Sequence, residues 1–224
     1  GMNMTNLGIP EKEMRERYLR LFSGAINDVL RFEHKHHFSA FPGDYKPLRA
    51  GMKLCGRAFT VKGTPDIITE GEFEERAKML EALRPDSVVI WDCTGDLITA
   101  QWGEFMTMAA VRAGCRGAVV NGVRDVDAVL RQEFQVYHKY TTPTGMLGRF
   151  RMVHYQKPVL MGEVMVQPGD WIFADTDGIL AIPSAIAESV LVSAEKVLSK
   201  EKSIKDMVES GMRPTDIVAR GGYF

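Results

Sequence analysis

The sequence predicts one α/β domain, and three observations carry that expectation. Strand-like and helix-like segments alternate between residues 54 and 132, the pattern of parallel strands joined by right-handed crossovers. Short strands separated by tight turns follow between residues 158 and 182 and mark a β-rich layer. No internal repeat or low-complexity linker interrupts the 224 residues, of which 45% are hydrophobic and 25% charged, an ordinary globular balance able to bury a sizeable core.

Residues 11 to 32 read as a helix, because Met14, Tyr18, Leu21, Phe22, Ile26, Val29 and Leu30 recur at roughly helical spacing. His34-Lys35-His36-His37 follows as an exposed basic helix end, since no carboxylate or cysteine stands at ligand spacing. Phe38 to Met52, broken by Pro42, Gly43, Pro47 and Gly51, is expected to be a loop. Leu54 to Lys62 reads as a strand stopped by Gly63-Thr64-Pro65, and Glu70 to Leu83 as an exposed, acidic amphipathic helix. Ser87-Val88-Val89-Ile90-Trp91-Asp92 is the clearest strand in the chain.

Ile98 to Ala113, rich in alanine and methionine, suits a buried helix; Cys115 to Asn121 is the next strand and Val126 to Gln132 a short helix. Thr141 to Arg151 reads as a polar loop. Two hairpins are expected, Pro158–Met161 with Glu163–Val166 around Gly162, and Trp171–Ala174 with Ile179–Ile182 around Asp175-Thr176-Asp177-Gly178. The second turn lacks the further acidic ligands of a calcium loop. Pro183 opens a long helix to about Ser199, and a second helix closes at Gly211.

Composition excludes several classes. A net charge of -1 offers no basic field for nucleic acid, and no run of about eighteen apolar residues offers a membrane span. Met2 to Thr5 lacks a basic and then apolar leader, and Gly1 ahead of Met2 has the form of a residue left by tag removal. Cys55, Cys93 and Cys115 are widely spaced and odd in number, which points to buried reduced thiols in a cytoplasmic protein.

Three strand exits carry polar groups: Asp92-Cys93-Thr94-Gly95-Asp96, Trp102-Gly103-Glu104-Phe105 at a helix start, and Asn121-Gly122-Val123-Arg124-Asp125. Ligands of open α/β sheets collect outside the carboxyl ends of strands, where these segments could converge. A guanidinium grips carboxylates with two parallel hydrogen bonds, backbone N–H groups at a helix start suit an anion, and aspartate is a hard ligand for Mg2+ or Mn2+. Arg124 and Asp125 therefore point to a small acidic substrate beside a divalent metal. The simpler alternatives are a solvated turn for Arg124-Asp125, a close-packing role for Gly103, and turn hydrogen bonding for Asp92 and Asp96. His138 and His154 have no recognisable nucleophile partner.

In combination, Leu54–Val61, Trp102-Gly103-Glu104, Gly117–Asp125, Gly162–Asp170 and Asp175–Pro183 stand in an order that resembles the RraA-like family, which includes the class II 4-hydroxy-4-methyl-2-oxoglutarate aldolases. The resemblance covers roughly residues 20 to 220, so residues 20–224 are taken as an RraA-like domain and residues 1–19 as the tag remnant and the start of the first helix. The family pattern of glycine, twenty intervening residues, arginine and aspartate is met by Gly103, Arg124 and Asp125. The resemblance implies a single-domain α/β/β sandwich of swivelling-domain-like type, assembled as a homotrimer or a dimer of trimers with sites at subunit boundaries.

It further implies that Trp102, Gly103, Glu104, Phe105 and Arg124 bind a 2-oxo acid, that Asp125 binds Mg2+ or Mn2+, and that Arg124 and Asp125 are catalytic. The implied reaction is cleavage of a 4-hydroxy-2-oxo dicarboxylate, or decarboxylation of oxaloacetate, through a pyruvate enolate. One departure stands out. Many relatives carry an acidic residue two positions beyond the aspartate's neighbour, where this chain has Ala128, and the adjacent Asp127 would project differently from a helix. Relatives also include a protein that inhibits an RNA-degrading endonuclease, so the alternative expectation is a non-enzymatic regulator, for which Arg124-Asp125 would be unnecessary.

Overall fold

In the computed structural model, which describes residues 8–224, the first helix is not continuous. α1 (Glu11–Tyr18) ends before the extended backbone of Phe22, and α2 (Ser23–Asp28) then begins and widens into a single π turn over Val29–Glu33. The break has a tertiary cause. Asp175 accepts hydrogen bonds from Ser23 N and Oγ, both at 2.8 Å, so a new helix starts where that carboxylate waits. The break lets Met14, Tyr18 and Leu21 share one core with Ile26, Val29 and Leu30.

The central sheet is mixed. β1 (Lys46–Pro47) lies at one edge and β2 (Leu54–Pro65) near the other. Beyond β2 come α3 (Glu72–Glu81), β3 (Ser87–Asp92), α4 (Glu104–Arg112), β4 (Gly117–Val119), β5 (Gly122–Val123), α5 (Val126–Leu130), β6 (Gln135–His138) and β7 (Tyr140–Thr141). Strands β2, β3, β4 and β6 pair in parallel, as the alternation predicts. The texture then turns antiparallel: β8 (Phe150–Tyr155), β9 (Val159–Met161), β10 (Val164–Val166), β11 (Trp171–Asp175) and β12 (Gly178–Ile182). β9 and β10 form one expected hairpin and β11 and β12 the other.

Side-chain alternation builds the layers. Phe59, Val61, Val89, Trp91 and Ala118 face the α3–α4–α5 side. Ala58, Val88, Ile90 and Val119 face the opposite way, against Val159, Met161, Val164 and Val166 of the β9–β10 ribbon. The result is the α/β/β sandwich. A third apolar cluster seats α1, α2 and α6 (Ala187–Glu209) against Trp171, Phe173, Leu180 and Ile182.

Several local expectations need correction. β2 does not stop at Gly63. It runs to Pro65 with a register shift at Lys62/Gly63, because a Cβ at Gly63 would lie 2.3 Å from the Phe150 ring and the strand bends closely around it. The segment read as a polar loop contains the start of β8, where buried Phe150 and Met152 alternate with Arg151 and Val153. α6 is one helix to Glu209, preceded by a 3-10 turn, and the second helix, α7 (Pro214–Ala219), begins only after Gly211.

The correction that matters most for function concerns residues 98–113. The helix begins only at Glu104, and its outer face, with Phe105 and Met108, is exposed. Asp96 explains the late start. Its carboxylate takes Ile98 N at 2.9 Å, Thr99 N at 3.1 Å, the Thr99 hydroxyl, and Gln101 Nε2 at 2.7 Å. Gln101 Oε1 in turn accepts Gly122 N at 2.7 Å. Residues 98–103 are thus held out of helix against the chain around Gly122, with isolated bridges from Ala100 to Gly145 and from Trp102 to Val123.

Candidate active site

The three polar strand exits do converge, but with different fates. Asp92 at the end of β3 is bound to Lys62 Nζ at 2.9 Å and to Thr94 N at 3.0 Å, and Asp96 is saturated as described. Asn121 ties the exits together by donating to the carbonyls of Cys93 (3.1 Å) and Asp96 (2.8 Å). Asp92, Asp96 and Asn121 are all buried, and their hydrogen-bond capacity is spent on holding loops, as the turn alternative expects. Cys55, Cys93 and Cys115 are buried free thiols, and burial pushes each above the usual thiol range, so they are inert neutral groups.

The third exit is different. Arg124 N donates to Trp102 O at 3.0 Å, laying the Arg124-Asp125 pair alongside the start of α4. Asp125 has φ 55° and ψ 38°, a left-handed conformation that aspartate tolerates better than most residues. In that conformation its Oδ2 accepts Glu104 N at 3.2 Å in the first turn of α4 and lies 4.0 Å from Arg124 Nε. The Arg124 and Asp125 side chains remain about half exposed, at 50% and 47%.

The glycine spacing has a physical reason. A Cβ on Gly103 would stand 2.8 Å from Asp125 Oδ2 and 3.4 Å from Arg124 Cγ, so only glycine lets the helix start approach the pair. Gly145 flanks the guanidinium on the other side, where a Cβ would come 2.8 Å from Arg124 Nη1 and the flexible end of that side chain would have to shift. Arg124 therefore passes between two glycines, and Gly145 was not among the residues singled out from sequence. Its only local signal was its place in a Pro-Thr-Gly turn.

Of the remaining expected residues, Trp102 is a structural side chain. It is buried, stacks on Phe134 with ring centroids 5.6 Å apart, and donates from Nε1 to Thr107 Oγ1 at 2.8 Å. What Trp102 and Gly103 bring to the site is backbone. Helical hydrogen bonding of α4 begins with Thr107 N to Gly103 O, so the Phe105 and Met106 N–H groups have no acceptor within the helix. Phe105 projects its ring outward, 81% exposed.

These groups line a cavity of about 260 Å³, below the range of roughly 300–1,000 Å³ that suits drug-sized ligands. Glu104, Arg124 and Asp125 contribute charge to its wall, and α3 contributes Phe73 and Arg76. The expectation that α3 is merely exposed and acidic is therefore incomplete. Glu72 in its first turn is buried, bonded through Oε1 to Arg76 Nη2 (3.1 Å) and Met152 N (3.3 Å). A single arginine amid glutamates was the available sequence signal, but its direction depends on packing.

The donor chemistry fits a hard divalent ion held mainly by water and ligand oxygens. Asp125 Oδ2 is anchored on α4, and no described residue donates to Oδ1. Among the described residues no three His, Cys, Asp or Glu side chains stand together as a closed protein cage. Mg2+ characteristically keeps several waters and uses one or two carboxylates, so a single half-exposed aspartate on the wall of this cavity is compatible with it.

A mixed α/β domain with a guanidinium, a carboxylate and a helix start around one small cavity at the strand exits defines a candidate small-acid site. Comparison with known proteins then places the chain in the RraA-like family, whose Aldolase/RraA model matches residues 24–181. A putative 4-hydroxy-4-methyl-2-oxoglutarate aldolase of Halalkalibacterium halodurans is 30% identical over 168 residues, covering 73% of this chain and 77% of that protein. Protein DlpA of Legionella pneumophila is 30% identical over 167 residues, 74% of this chain, and this chain spans only 27% of its length.

Among solved structures, Streptomyces coelicolor RraAS2, described as an unusual member of the RNase ES inhibitor RraA family, superposes with a TM-score of 0.78 at 26% identity, covering 88% of this chain and 97% of that one. A structure described among novel cellulases from microbes of the gut ecosystem superposes with a TM-score of 0.85 at 38% identity, covering 91% of each chain.

Proposed function

We propose that this protein is a divalent-metal-dependent lyase that cleaves a 4-hydroxy-2-oxo dicarboxylic acid, or decarboxylates oxaloacetate, through a pyruvate enolate. The observation that carries the reading is the approach of Gly103 to the Arg124-Asp125 pair at the open start of α4, inside a cavity sized for a small acid. The family and its aldolase-named relatives agree with it.

In this reading the Phe105 and Met106 N–H groups and the Arg124 fork take the substrate's 2-oxo acid end. Asp125 would hold Mg2+ or Mn2+ through its free carboxylate oxygen, while Oδ2 keeps the carboxylate fixed on the helix. The metal, when bound, supplies Lewis-acid stabilisation of the developing enolate. Arg124 adds a fixed positive charge beside the same oxygen, the kind of preorganised charge that lowers such barriers. In the cleavage (retro-aldol) direction the C3–C4 bond breaks, its electron pair passes through C3 onto the 2-oxo oxygen as the enolate, the 4-hydroxyl loses its proton as the new carbonyl forms, and C3 later gains a proton. Among the described residues no lysine lines the cavity.

The proposal includes a homotrimer or a dimer of trimers in which a neighbour completes each site; the exposed Phe105 and Phe73 rings at the cavity support an additional protein surface there. It also includes a cytoplasmic location, consistent with three free thiols. Among the described residues no helix is long and apolar enough to cross a membrane.

The test is pyruvate release from 4-hydroxy-4-methyl-2-oxoglutarate and from oxaloacetate with Mg2+ or Mn2+, measured against metal alone. The expected result is a protein-dependent excess that Arg124→Ala reduces by about 10²-fold or more. No excess from the wild type on either acid overturns the enzyme reading. The structural likeness to an RNase inhibitor family would then favour the regulator alternative, tested by binding to an endonuclease of the RNase ES kind.

A further inference from the structure

The reaction above uses Arg124 but leaves Arg76, the second cation on the cavity wall, without a task. Arg76 is positioned from two sides by its own helix. Its Nη2 bonds to Glu72 Oε1 one turn earlier at 3.1 Å, and its guanidinium lies 5.4 Å from the centre of the Phe73 ring. Its side chain is only 16% exposed and that of Glu72 2%.

As a purely structural ion pair this arrangement is poor. Buried arginine–carboxylate pairs repay desolvation best when both partners are fully bonded, commonly with two parallel hydrogen bonds. Here a single bond joins the side chains, Glu72 Oε2 and Arg76 Nε are both buried without a partner, and Glu72 Oε1 is Arg76's one acceptor among the described residues. Nε is enclosed, but Nη1 has no hydrogen-bond partner among the described residues and is not enclosed, so it is the donor left for something else.

Charge bookkeeping on the wall points to what that is. With Asp125 committed to a cation, the cavity presents two guanidinium groups, Arg124 from the strand exit and Arg76 from α3, against the one remaining carboxylate of Glu104. We propose that Arg76, held in place by Glu72 and Phe73, grips the distal carboxylate of the substrate while Arg124 and the start of α4 hold its 2-oxo acid end. Arg76 then selects dicarboxylic over monocarboxylic 2-oxo acids. This inference rests on the proposed reaction and adds to it the residue that sets substrate class.

The test is calorimetric titration, with Mg2+ present, of two acids that lack a 4-hydroxyl and so cannot undergo the aldol cleavage: 2-oxoglutarate, which has the distal carboxylate, and 2-oxobutyrate, which lacks it. Wild type should bind 2-oxoglutarate at least tenfold more tightly. Arg76→Gln should reduce that preference to less than threefold, and Arg76→Lys, which keeps the charge but not the fork, should fall between. Thermal melting shows whether each variant is folded, and if Arg76→Gln is not, Arg76→Lys decides by the same ratio. Equal binding of the two acids by wild type overturns the inference, as does an unchanged ratio or a parallel loss of both acids in a folded variant. Failure of wild type to bind either acid instead overturns the reaction reading beneath it.

Discussion

Asp96 and Asp125 stand at neighbouring strand exits, yet the fold uses them in opposite ways. Asp96 is buried and accepts four hydrogen bonds from the loop that follows it. Asp125 is half exposed, accepts one from the start of α4, and sits in a left-handed conformation with Arg124 beside it. Carboxylate identity and position at a strand end do not separate the two. Unspent hydrogen-bonding capacity facing a cavity does, because a saturated buried carboxylate has nothing left to offer a ligand.

The largest expected effect comes from Asp125→Asn. Asparagine tolerates the left-handed backbone and can still accept the Glu104 N–H, so stability should stay within about 1 kcal/mol of wild type in urea unfolding. Metal-dependent pyruvate release should nevertheless fall about 10³-fold. Retained activity would break the contrast, because Asp125 would then be another structural turn residue.

Gly103→Ala comes next. The new methyl would press on Asp125 Oδ2 at 2.8 Å, and displacing the pair from the helix start should lower kcat/KM by about 10²-fold, read in the same assay. Asp96→Ala should do the reverse of Asp125→Asn. It strips partners from buried Thr99 and Gln101 and should cost about 1–3 kcal/mol in urea unfolding, with kcat of the folded fraction largely kept.

The smallest effect concerns Asp170, another buried carboxylate, in the turn before β11. Its Oδ2 accepts Gln167 N at 2.9 Å, but desolvation raises its pKa above the usual carboxylate value. The folded state therefore holds that proton more tightly than the unfolded chain. This favourable contribution is present at low pH and is lost as pH rises from the ordinary carboxylate value through the raised one. Asp170→Asn should gain stability relative to wild type over that interval and keep the gain at neutral pH, measured as the difference between the two unfolding curves at pH 3.5 and pH 7. A constant difference across pH would show that burial does not burden this carboxylate.

How far the site was legible from sequence follows the range of the contacts involved. The strand cores were visible because a short apolar run bounded by turn signals is a local feature, and Ser87–Asp92 is entirely buried as its composition requires. Both hairpins were visible because their turns carry glycine at the required positions. The helix start at Glu104 was not, since the alanine- and methionine-rich segment from Ile98 has helical propensity and is held out of helix only by Asp96, Gln101 and the chain around Gly122. The same kind of override divides the first helix, where Ser23 meets Asp175 across 152 residues.

By itself the sequence determined the Arg124-Asp125 pair, its twenty-residue spacing from Gly103 and the order of the strands that bring them near each other, because these depend on neighbouring residues and on connection rules. Only the tertiary structure decided which carboxylates are spent and which are open, that the Trp102 ring is packed into the core, and that Gly145 and Arg76 line the same cavity as Arg124 and Asp125. Those outcomes depend on hydrogen bonds and close approaches between residues tens of positions apart. A one-dimensional pattern records which groups are available; the folded chain settles which of them are already satisfied.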